Sequence, residues 1–390
     1  MKNIKDQFFL NPEVVFFNHG SYGACPKPIL EDYQEWQRKL EFEPVQFITK
    51  KREEALLVSK KIFATYLGCD HEDFFFIQNP TTAVNQIVKS LNLKAGDEVL
   101  TTDHEYGAMD KTFSFYSKKK GFYYRRQHIS LPLLSKQQFI EDFWNGYNEK
   151  TRVIFISHCT STTALVFPVK EICERAKELG LVTIVDGAHI PGHLPLNLQN
   201  IQADFYTGTL HKWLLSPKGC TFLYVNKNFQ NQLEPLIISW GYEAAKPTKT
   251  KFLEENEIQG TRDISAYLTA PAIMKFFDEN NMPARQTACR QVILEQYPVF
   301  CDLIGTKPLC KLSDEFLGQM CSIPISTCDP LQLKEKIYKE HKIEIPIMQR
   351  GNDIYLRISY QVYNSMDDLE CLKEAIKKLE IMPAAAPVLG

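Results

Sequence analysis

The stretch RVIFISHCTSTTALVFPVKEICERAKELGLVTIVDGAH, residues 152–189, contains two apolar runs on either side of an amphipathic segment. RVIFIS (152–157) and LVTIVD (181–186) are continuous apolar runs, which are typical of strands buried on both faces of a parallel sheet. VKEICERAKELG (169–180) has helical periodicity and ends at a glycine. The order strand, helix, strand predicts a mostly parallel, doubly wound sheet.

The same alternation continues on both sides of this stretch, from about residue 50 to residue 225. Periodicity indicates helices over 51–68, 81–93 and 107–121 and strands over 74–79 and 97–102. After residue 263 the chain changes to long helical stretches, short strands and a last helix. We therefore expect an α/β protein with four parts: an N-terminal segment (1–20), a large domain (21–263), a smaller α+β domain (264–381) and a disordered tail (382–390).

The composition argues against several classes of function. The 390 residues carry a formal net charge of −2 and no basic stripe, so a nucleic-acid partner is not expected. The N-terminus lacks a secretory signal pattern, and no apolar run approaches the ~18 residues that span a bilayer. The eleven cysteines contain no CxxC pair, and the nine histidines form no zinc-type cluster. We therefore expect a cytoplasmic protein with reduced thiols, no membrane partner and no metal site.

Two charged residues are the best candidates for chemistry. Asp186 ends the second apolar run, and Lys212 follows in TGTLHKWLLSPKGC (207–220), after one more strand-like run. Each has an ordinary alternative, because an aspartate at a strand end can cap a helix and a lysine can lie in a solvated turn. However, the loop GAHIPGHLPLN after Asp186 is irregular and starts no immediate helix. Ligands of open α/β sheets bind beyond the carboxyl ends of the strands, so both side chains can face one pocket.

A lysine and a carboxylate in one pocket, without a nucleotide fingerprint or metal motif, suit pyridoxal 5′-phosphate (PLP). The aldehyde of PLP needs an amine for a Schiff base, and its pyridine nitrogen needs an anion to remain protonated. Its phosphate needs a helix N-terminus and hydroxyl groups. Thr81 and Thr82 lie at the start of the predicted 81–93 helix, and Thr209 and His211 lie beside the lysine.

At these positions the chain resembles a known family. NPTTAVN, DHEYGA, VDGAH, TGTLHKW, GTRD and LRISYQVYN resemble segments of class V aminotransferase-like PLP enzymes, in particular of the isopenicillin N epimerase-like branch. This branch is related to cysteine desulfurases and to thiol-histidine sulfoxide lyases. The resemblance runs from FFNHGSYGACP (16–26) to the C-terminal helix. It implies a fold-type I PLP-dependent transferase fold, an amino-acid substrate and a homodimer with a shared active site.

The resemblance also implies a role for individual residues. Lys212 would form the Schiff base and move the proton at Cα, Asp186 would pair with the pyridine nitrogen, and His189 would contact the ring 3′-oxygen. Thr81, Thr82, Thr209 and His211 would bind the phosphate, and Thr261 would contact the partner subunit's cofactor. His104 or Tyr106 would stack on the ring, and His158 would lie against the cofactor. Arg357 would bind the substrate carboxylate, and Asn18 and His19 would lie at the pocket mouth.

One departure from the family narrows the reaction. Cysteine desulfurases carry a nucleophilic thiolate shortly before the strand with the carboxylate-binding arginine, but HKIEIPIMQRGNDIYLRIS (341–359) contains no cysteine. This argues against persulfide transfer. Two reactions that begin with deprotonation at Cα remain, C–S (sulfoxide) lyase chemistry and amino-acid epimerisation. A class V aminotransferase and a catalytically inactive PLP-fold regulator are the alternatives.

Overall fold

The computed structural model describes residues 4–384. Within these residues the strands are β1 (Val15–Phe16), β2 (Phe74–Ile77), β3 (Glu98–Thr102), β4 (Tyr123–Gln127), β5 (Thr151–Ser157), β6 (Val182–Asp186), β7 (Phe205–Thr209), β8 (Thr221–Val225), β9 (Met320–Ser326), β10 (Ile343–Glu344), β11 (Ile347–Arg350), β12 (Asp353–Ser359) and β13 (Met382–Pro383).

The helices are α1 (His19–Tyr22), α2 (Lys27–Phe42), α3 (Pro44–Gln46), α4 (Arg52–Leu67), α5 (Pro80–Ser90), α6 (Gly107–Lys120), α7 (Lys136–Trp144), α8 (Val169–Glu178), α9 (Leu198–Ile201), α10 (Lys251–Glu257), α11 (Ala270–Glu279), α12 (Met282–Ile304), α13 (Pro330–His341) and α14 (Met366–Lys378). No helix within residues 4–384 is both long and apolar enough to cross a membrane.

A seven-stranded sheet forms the centre of the large domain, in the order β2-β8-β7-β6-β5-β3-β4. Its pairs are parallel except those of β8, which runs antiparallel to both neighbours. Side chains of β2 alternate between two buried clusters: Phe74 and Phe76 join one, and Phe75 and Ile77 join the other. Helices therefore cover both faces of the sheet, and the predicted doubly wound α/β fold is confirmed.

The helix limits follow local signals. α4 ends at Gly68 and α6 ends at Gly121, both in the left-handed conformation that glycine adopts without strain. The predicted helix 81–93 starts one residue earlier in the structure, and no threonine caps it. α5 begins at Pro80, and the cap is Asn79, whose side chain accepts the Thr82 N–H. Asparagine is a strong N-cap and proline suits the first helical position, so NP sets this helix start.

The C-terminal part contains a four-stranded antiparallel sheet in the order β11-β12-β9-β13. The N-terminal segment joins this part, because β1 pairs with β10 and Asn18 bridges to Ser359. The segment IEIPIM (343–348) is divided between β10 and β11, and Pro346, which has no N–H to donate to a ladder, lies at the break. The boundaries at residues 20, 263 and 381 stay predictions.

The expected disordered tail begins with ordered residues. Met382 and Pro383 form β13 and pair with Ser326 and Ile325 of β9. The rest of that tail, residues 385–390, lies outside the described residues.

Candidate active site

Side chains from several strands meet at one edge of the seven-stranded sheet. β5, β6 and β7 run parallel and end there at Ser157, Asp186 and Thr209. The N-terminus of α5 reaches the same edge, as does the turn that holds Lys212. Together they surround a cavity of about 390 Å³. The predicted approach of Asp186 and Lys212 to one pocket is therefore observed.

Lys212 is the main basic group of this cavity. Its Nζ lies 3.3 Å from Nε2 of His189. Removal from water, and next the positive charge of Arg357, lower the pKa of the Lys212 amine to about 8, while the negative charge of Asp186 opposes the change. About a tenth of the amine is therefore unprotonated at pH 7, far more than for a lysine at its usual pKa, and this form is the nucleophile or general base.

Asp186 is buried at the end of β6. Its Oδ1 accepts the N–H of Ala188 at 2.9 Å. Burial raises the pKa of its carboxyl group, and the hydrogen bond from Ala188 and the charge of Lys212 partly offset this rise. Gly187 follows directly, and a Cβ there would overlap the side chain of Tyr206, so this position needs glycine.

The N-terminal segment packs against the backbone of His211 and Lys212. Gly23 has a φ of 68°, and a Cβ there would overlap the backbone of His211. His19 is fully buried and contacts the Lys212 carbonyl oxygen at 3.1 Å and the Tyr363 hydroxyl at 2.8 Å. Burial lowers the pKa of His19 to about 3, so its ring is neutral at pH 7. In this structure His19 supports the lysine backbone and does not line the cavity.

Arg357 is a buried cation on β12. Its Nη1 donates to the carbonyl oxygen of Ser161 at 2.6 Å, and its Nη2 donates to Ser21 Oγ at 2.9 Å. Burial lowers its pKa to about 10, and the groups that oppose this change are Cys159 and Tyr106 rather than a carboxylate. Within residues 4–384 its Nε has no hydrogen-bond partner. A buried guanidinium without an acidic partner favours binding of an anionic ligand.

Ser21 links this arginine to the N-terminal segment. Its hydroxyl lines the cavity and donates to Asn18 Oδ1 at 2.5 Å. The class V resemblance predicts Asn18 and His19 at the pocket mouth, in a substrate-binding role. The structure instead brings Ser21 to the cavity, with Asn18 behind it.

The DHEYGA segment presents its tyrosine to the cavity. Tyr106 precedes α6, lines the cavity and is 47% exposed. His104 is buried elsewhere: its Nδ1 lies 2.9 Å from Thr163 Oγ1, and its Nε2 lies 2.5 Å from Nη1 of Arg350. Burial and the charge of Arg350 lower the pKa of His104 to about 3. Of the two stacking candidates, only Tyr106 therefore faces the cavity.

The expected phosphate-binding residues divide in a similar way. Thr81, Thr209 and His211 line the cavity. Thr82 does not, because its N–H and its hydroxyl both donate to Asn79 Oδ1. The Thr209 hydroxyl is buried and has no hydrogen-bond partner within residues 4–384. An unpaired hydroxyl and a helix N-terminus in the same cavity as Asp186 and Lys212 fit PLP. Thr81, Thr209 and His211 would hold the phosphate of PLP, and Asp186 would pair with its pyridine nitrogen.

Comparison with known proteins decides the family. The model of the family "Aminotransferase class-V" matches residues 25–372. The chain belongs to this class V family. Its members are PLP-dependent lyases, epimerases and desulfurases, so the predicted PLP-dependent enzyme and its cofactor are confirmed.

Two relatives and one solved structure are similar over nearly the whole chain. Isopenicillin N epimerase of Amycolatopsis lactamdurans is 30% identical, over 97% of this chain and 98% of the relative. A probable chloroplastic L-cysteine desulfhydrase of Arabidopsis thaliana is 26% identical, over 95% of this chain and 83% of the relative. The apo cysteine desulfurase of Thermococcus onnurineus NA1 has the same fold, with a TM-score of 0.82 at 20% identity and 97% coverage of both chains.

Two further residues to which the class V resemblance gives a role, His158 and Thr261, do not line the cavity. Nδ1 of His158 is 3.0 Å from the Tyr206 hydroxyl, and burial lowers the pKa of His158 to about 3. Thr261 is exposed and lines a separate surface groove with Trp240 and Arg262. Roles for both at the cofactor stay predictions.

The structure also places two residues at or beside the cavity that the sequence analysis did not single out. Cys159 lines the cavity, and burial raises the pKa of its thiol to about 12. It is therefore protonated at neutral pH and is not the thiolate that persulfide chemistry needs. Glu105 is buried next to Tyr106, with a pKa raised by burial to about 8, and it contacts Ser157 Oγ at 2.5 Å. The sequence signal for Glu105 was its position directly before Tyr106, the residue expected to stack on the cofactor ring.

Proposed function

We propose that the protein is a PLP-dependent lyase that breaks the Cβ–S bond of an amino acid. The observation that carries this proposal is the pairing of one base of near-neutral pKa, Lys212, with a buried arginine, Arg357, that has no acidic partner within residues 4–384. A β-elimination needs one base and one carboxylate site. The substrate is accordingly an α-amino acid with a sulfur substituent at Cβ.

Arg357 would bind the α-carboxylate of the substrate. Its planar guanidinium can donate two parallel hydrogen bonds to a carboxylate. Ser161 and Ser21, which line the cavity, hold Nη1 and Nη2 by the hydrogen bonds described above. The guanidinium is therefore oriented before the substrate arrives, which reduces the entropy cost of binding.

Lys212 would remove the proton from Cα. Bound PLP supplies an electron-withdrawing ring that stabilises negative charge at this carbon. The neighbouring histidines are poor competitors as bases, because burial lowers the pKa of His189, His158 and His211. Each also has a ring nitrogen engaged by another group of the protein. The same lysine can return its proton to the departing sulfur.

Epimerisation is the second candidate, favoured by one specific observation. An epimerase needs a second acid, and Tyr106 and Cys159 line the same cavity as Lys212. With a pKa of about 12, the Cys159 thiol keeps its proton and can donate it. The relative that is 30% identical is named an epimerase, which supports this candidate.

The reactions separate in one substrate panel. The purified protein is incubated with S-substituted cysteines and their sulfoxides, and in parallel with L-amino acids in deuterated water. A lyase releases pyruvate, ammonia and the sulfur product. Deuterium at Cα with inverted configuration and no pyruvate would replace the lyase proposal by epimerisation. Amino transfer to an added 2-oxo acid would indicate an aminotransferase, and no reaction with any substrate would indicate a regulator.

Arg357→Lys tests the role of Arg357 in binding the substrate carboxylate. The variant keeps the positive charge but loses the planar pair of donors, so kcat/KM is expected to fall by about 10- to 100-fold. Binding of PLP, followed by its visible absorption, is expected to stay unchanged. An unchanged kcat/KM would contradict the carboxylate role of Arg357.

We also propose a cytoplasmic homodimer. All eleven cysteines are free thiols, which suits a reducing compartment. Thr261 is exposed beside Trp240, which is 91% exposed, and a second copy would cover this apolar surface. In such a dimer the Thr261 hydroxyl would contact the phosphate of the other copy's cofactor.

Thr261→Ala tests the shared site. The variant is expected to release PLP several-fold faster during dialysis, because one hydrogen bond to phosphate is lost. Thr287→Ala is the control, since Thr287 is also exposed but its hydroxyl donates to Pro283 on its own helix. A monomeric mass by light scattering in the fully active protein would exclude the dimer.

A further inference from the structure

Trp213, directly after the cofactor lysine, is completely buried between two histidines. Its ring stacks on His193 with centroids 4.2 Å apart and an interplanar angle of 11°. His19 lies on it at 4.8 Å and 56°. Such packing would suit any large apolar side chain. What is specific to tryptophan is the indole N–H.

The indole N–H points at the histidine of the cavity. Nε1 of Trp213 lies 3.4 Å from Nδ1 of His189, and both residues are buried. An indole nitrogen can only donate a hydrogen bond, so Nδ1 of His189 must accept. A neutral His189 then carries its proton on Nε2, the nitrogen that lies 3.3 Å from Nζ of Lys212.

His189 is held in the neutral state that this argument requires. Burial is the main cause that lowers its pKa well below the usual value. The charged and titratable groups that face it act in the same direction: Lys212, Arg357, His193 and His19. A second proton on Nδ1 would also oppose the Trp213 N–H.

A second histidine fixes the backbone of the first. The backbone N–H of Gln319 donates to Nε2 of His193. Nδ1 of His193 therefore carries the proton and donates it to the carbonyl oxygen of His189 at 2.8 Å. Hydrogen bonds of fixed direction thus run from Gln319, the residue before β9, through His193 to the backbone of His189.

We propose that Trp213 is a positioning residue that fixes the Nε2–H tautomer of His189 and directs this donor into the cavity beside Lys212. An Nε2–H at this place suits an oxygen acceptor on the bound cofactor. The proposal also explains why the lysine, the cavity histidine and the tryptophan that donates to this histidine lie in one cluster. It rests on PLP binding and is independent of the lyase proposal.

Trp213→Phe removes the indole N–H and keeps an aromatic ring between the two histidines. Nδ1 of His189 is then free to take a proton, so the pKa of His189 rises. The acid-side transition in the visible spectrum of the PLP-loaded variant is expected to move up by about half to one pH unit relative to the parent protein. Trp144→Phe is the matched control: Trp144 is buried, but its Nε1 has no hydrogen-bond partner within residues 4–384. That variant should titrate like the parent.

A second measurement needs no Trp213 variant and decides the question if Trp213→Phe fails to fold. Solid-state NMR of the PLP-loaded protein with ¹⁵N-histidine is expected to show an unprotonated Nδ1 and a protonated Nε2 for His189, assigned by the signals missing in His189→Asn. A protonated Nδ1 would overturn the proposal, as would equal titration of Trp213→Phe and the parent. Neither measurement uses a substrate, so both outcomes are independent of the reaction that the enzyme catalyses.

Discussion

Lys212→Ala is expected to lose covalent retention of PLP and to lower turnover by a factor on the order of 10³ or more, because one substitution removes both the cofactor-linking amine and the base. Borohydride reduction of the parent protein, followed by peptide mass spectrometry, should place the cofactor on Lys212. Label on another lysine would contradict the assignment. Lys218→Ala is the control, since Lys218 lies on the same loop but its Nζ donates to the Gly23 carbonyl oxygen outside the cavity.

The pKa of Lys212 predicts how fast the cofactor-free protein takes up PLP. Only the unprotonated amine reacts, and with a pKa of about 8 its fraction rises roughly tenfold from pH 7 to pH 9. A lysine at its usual pKa would be almost fully protonated throughout this range. Stopped-flow absorbance at several pH values measures the uptake rate. A rate that keeps rising tenfold per pH unit up to pH 9 would show that burial has not lowered this pKa.

Asp186→Asn is expected to bind PLP but to lose activity by about 10²- to 10³-fold. A neutral amide of the same shape can keep the hydrogen bond from the Ala188 N–H, but it cannot hold a proton on the pyridine nitrogen by its charge. Steady-state kinetics on PLP-saturated protein measure the loss. Turnover near that of the parent protein would refute the role of Asp186.

The same substitution should not destabilise the cofactor-free protein at pH 7. Burial raises the pKa of Asp186 in the folded state, so the folded protein binds this proton more tightly than the unfolded chain does. Stability therefore falls as pH rises from the unfolded pKa, about 3.9, through the folded one. Removing the charge is expected to leave the melting temperature equal or higher.

Asp204→Asn is the matched control for this stability test. Asp204 lies just before β7, at the opposite end of that strand from the cavity, and accepts hydrogen bonds from the N–H and the hydroxyl of Thr183. Burial raises the pKa of Asp204 as well, so its replacement should also leave the melting temperature equal or higher, and it should leave the activity of the folded protein unchanged. A melting temperature of either variant below that of the parent protein would contradict the electrostatic argument.

Much of the fold could be predicted because its signals are local. β5 and β6 are continuous apolar runs, α4 ends at a glycine, and the order of these elements allows few parallel arrangements. Asp186 and Lys212 could be paired for the same reason, since side chains at the carboxyl ends of neighbouring parallel strands must meet. The strand break at Pro346 and the helix cap at Asn79 also have local signals, the proline itself and the Asn-Pro pair. A prediction based on periodicity alone does not include them.

The details of the site could not be predicted in this way. His104 and Tyr106 are two residues apart, and only long-range contacts of His104 with Thr163 and Arg350 decide that the tyrosine faces the cavity. Asn18 lies behind Ser21 because the N-terminal segment packs against β12, more than 300 residues away in the chain. Local sequence carries no information about either contact.

By itself the sequence determined the doubly wound fold, the class V resemblance and PLP as cofactor, and it singled out the lysine and the carboxylate that we propose to serve this cofactor. The tertiary structure alone decided which neighbours line the cavity, that Arg357 is buried with no acidic partner in the described part of the chain, and that Trp213 donates to His189. The physical reason is the range of the interactions. Strand and helix patterns arise between residues close in the chain, whereas burial, pKa and hydrogen-bond direction depend on groups that only folding brings together.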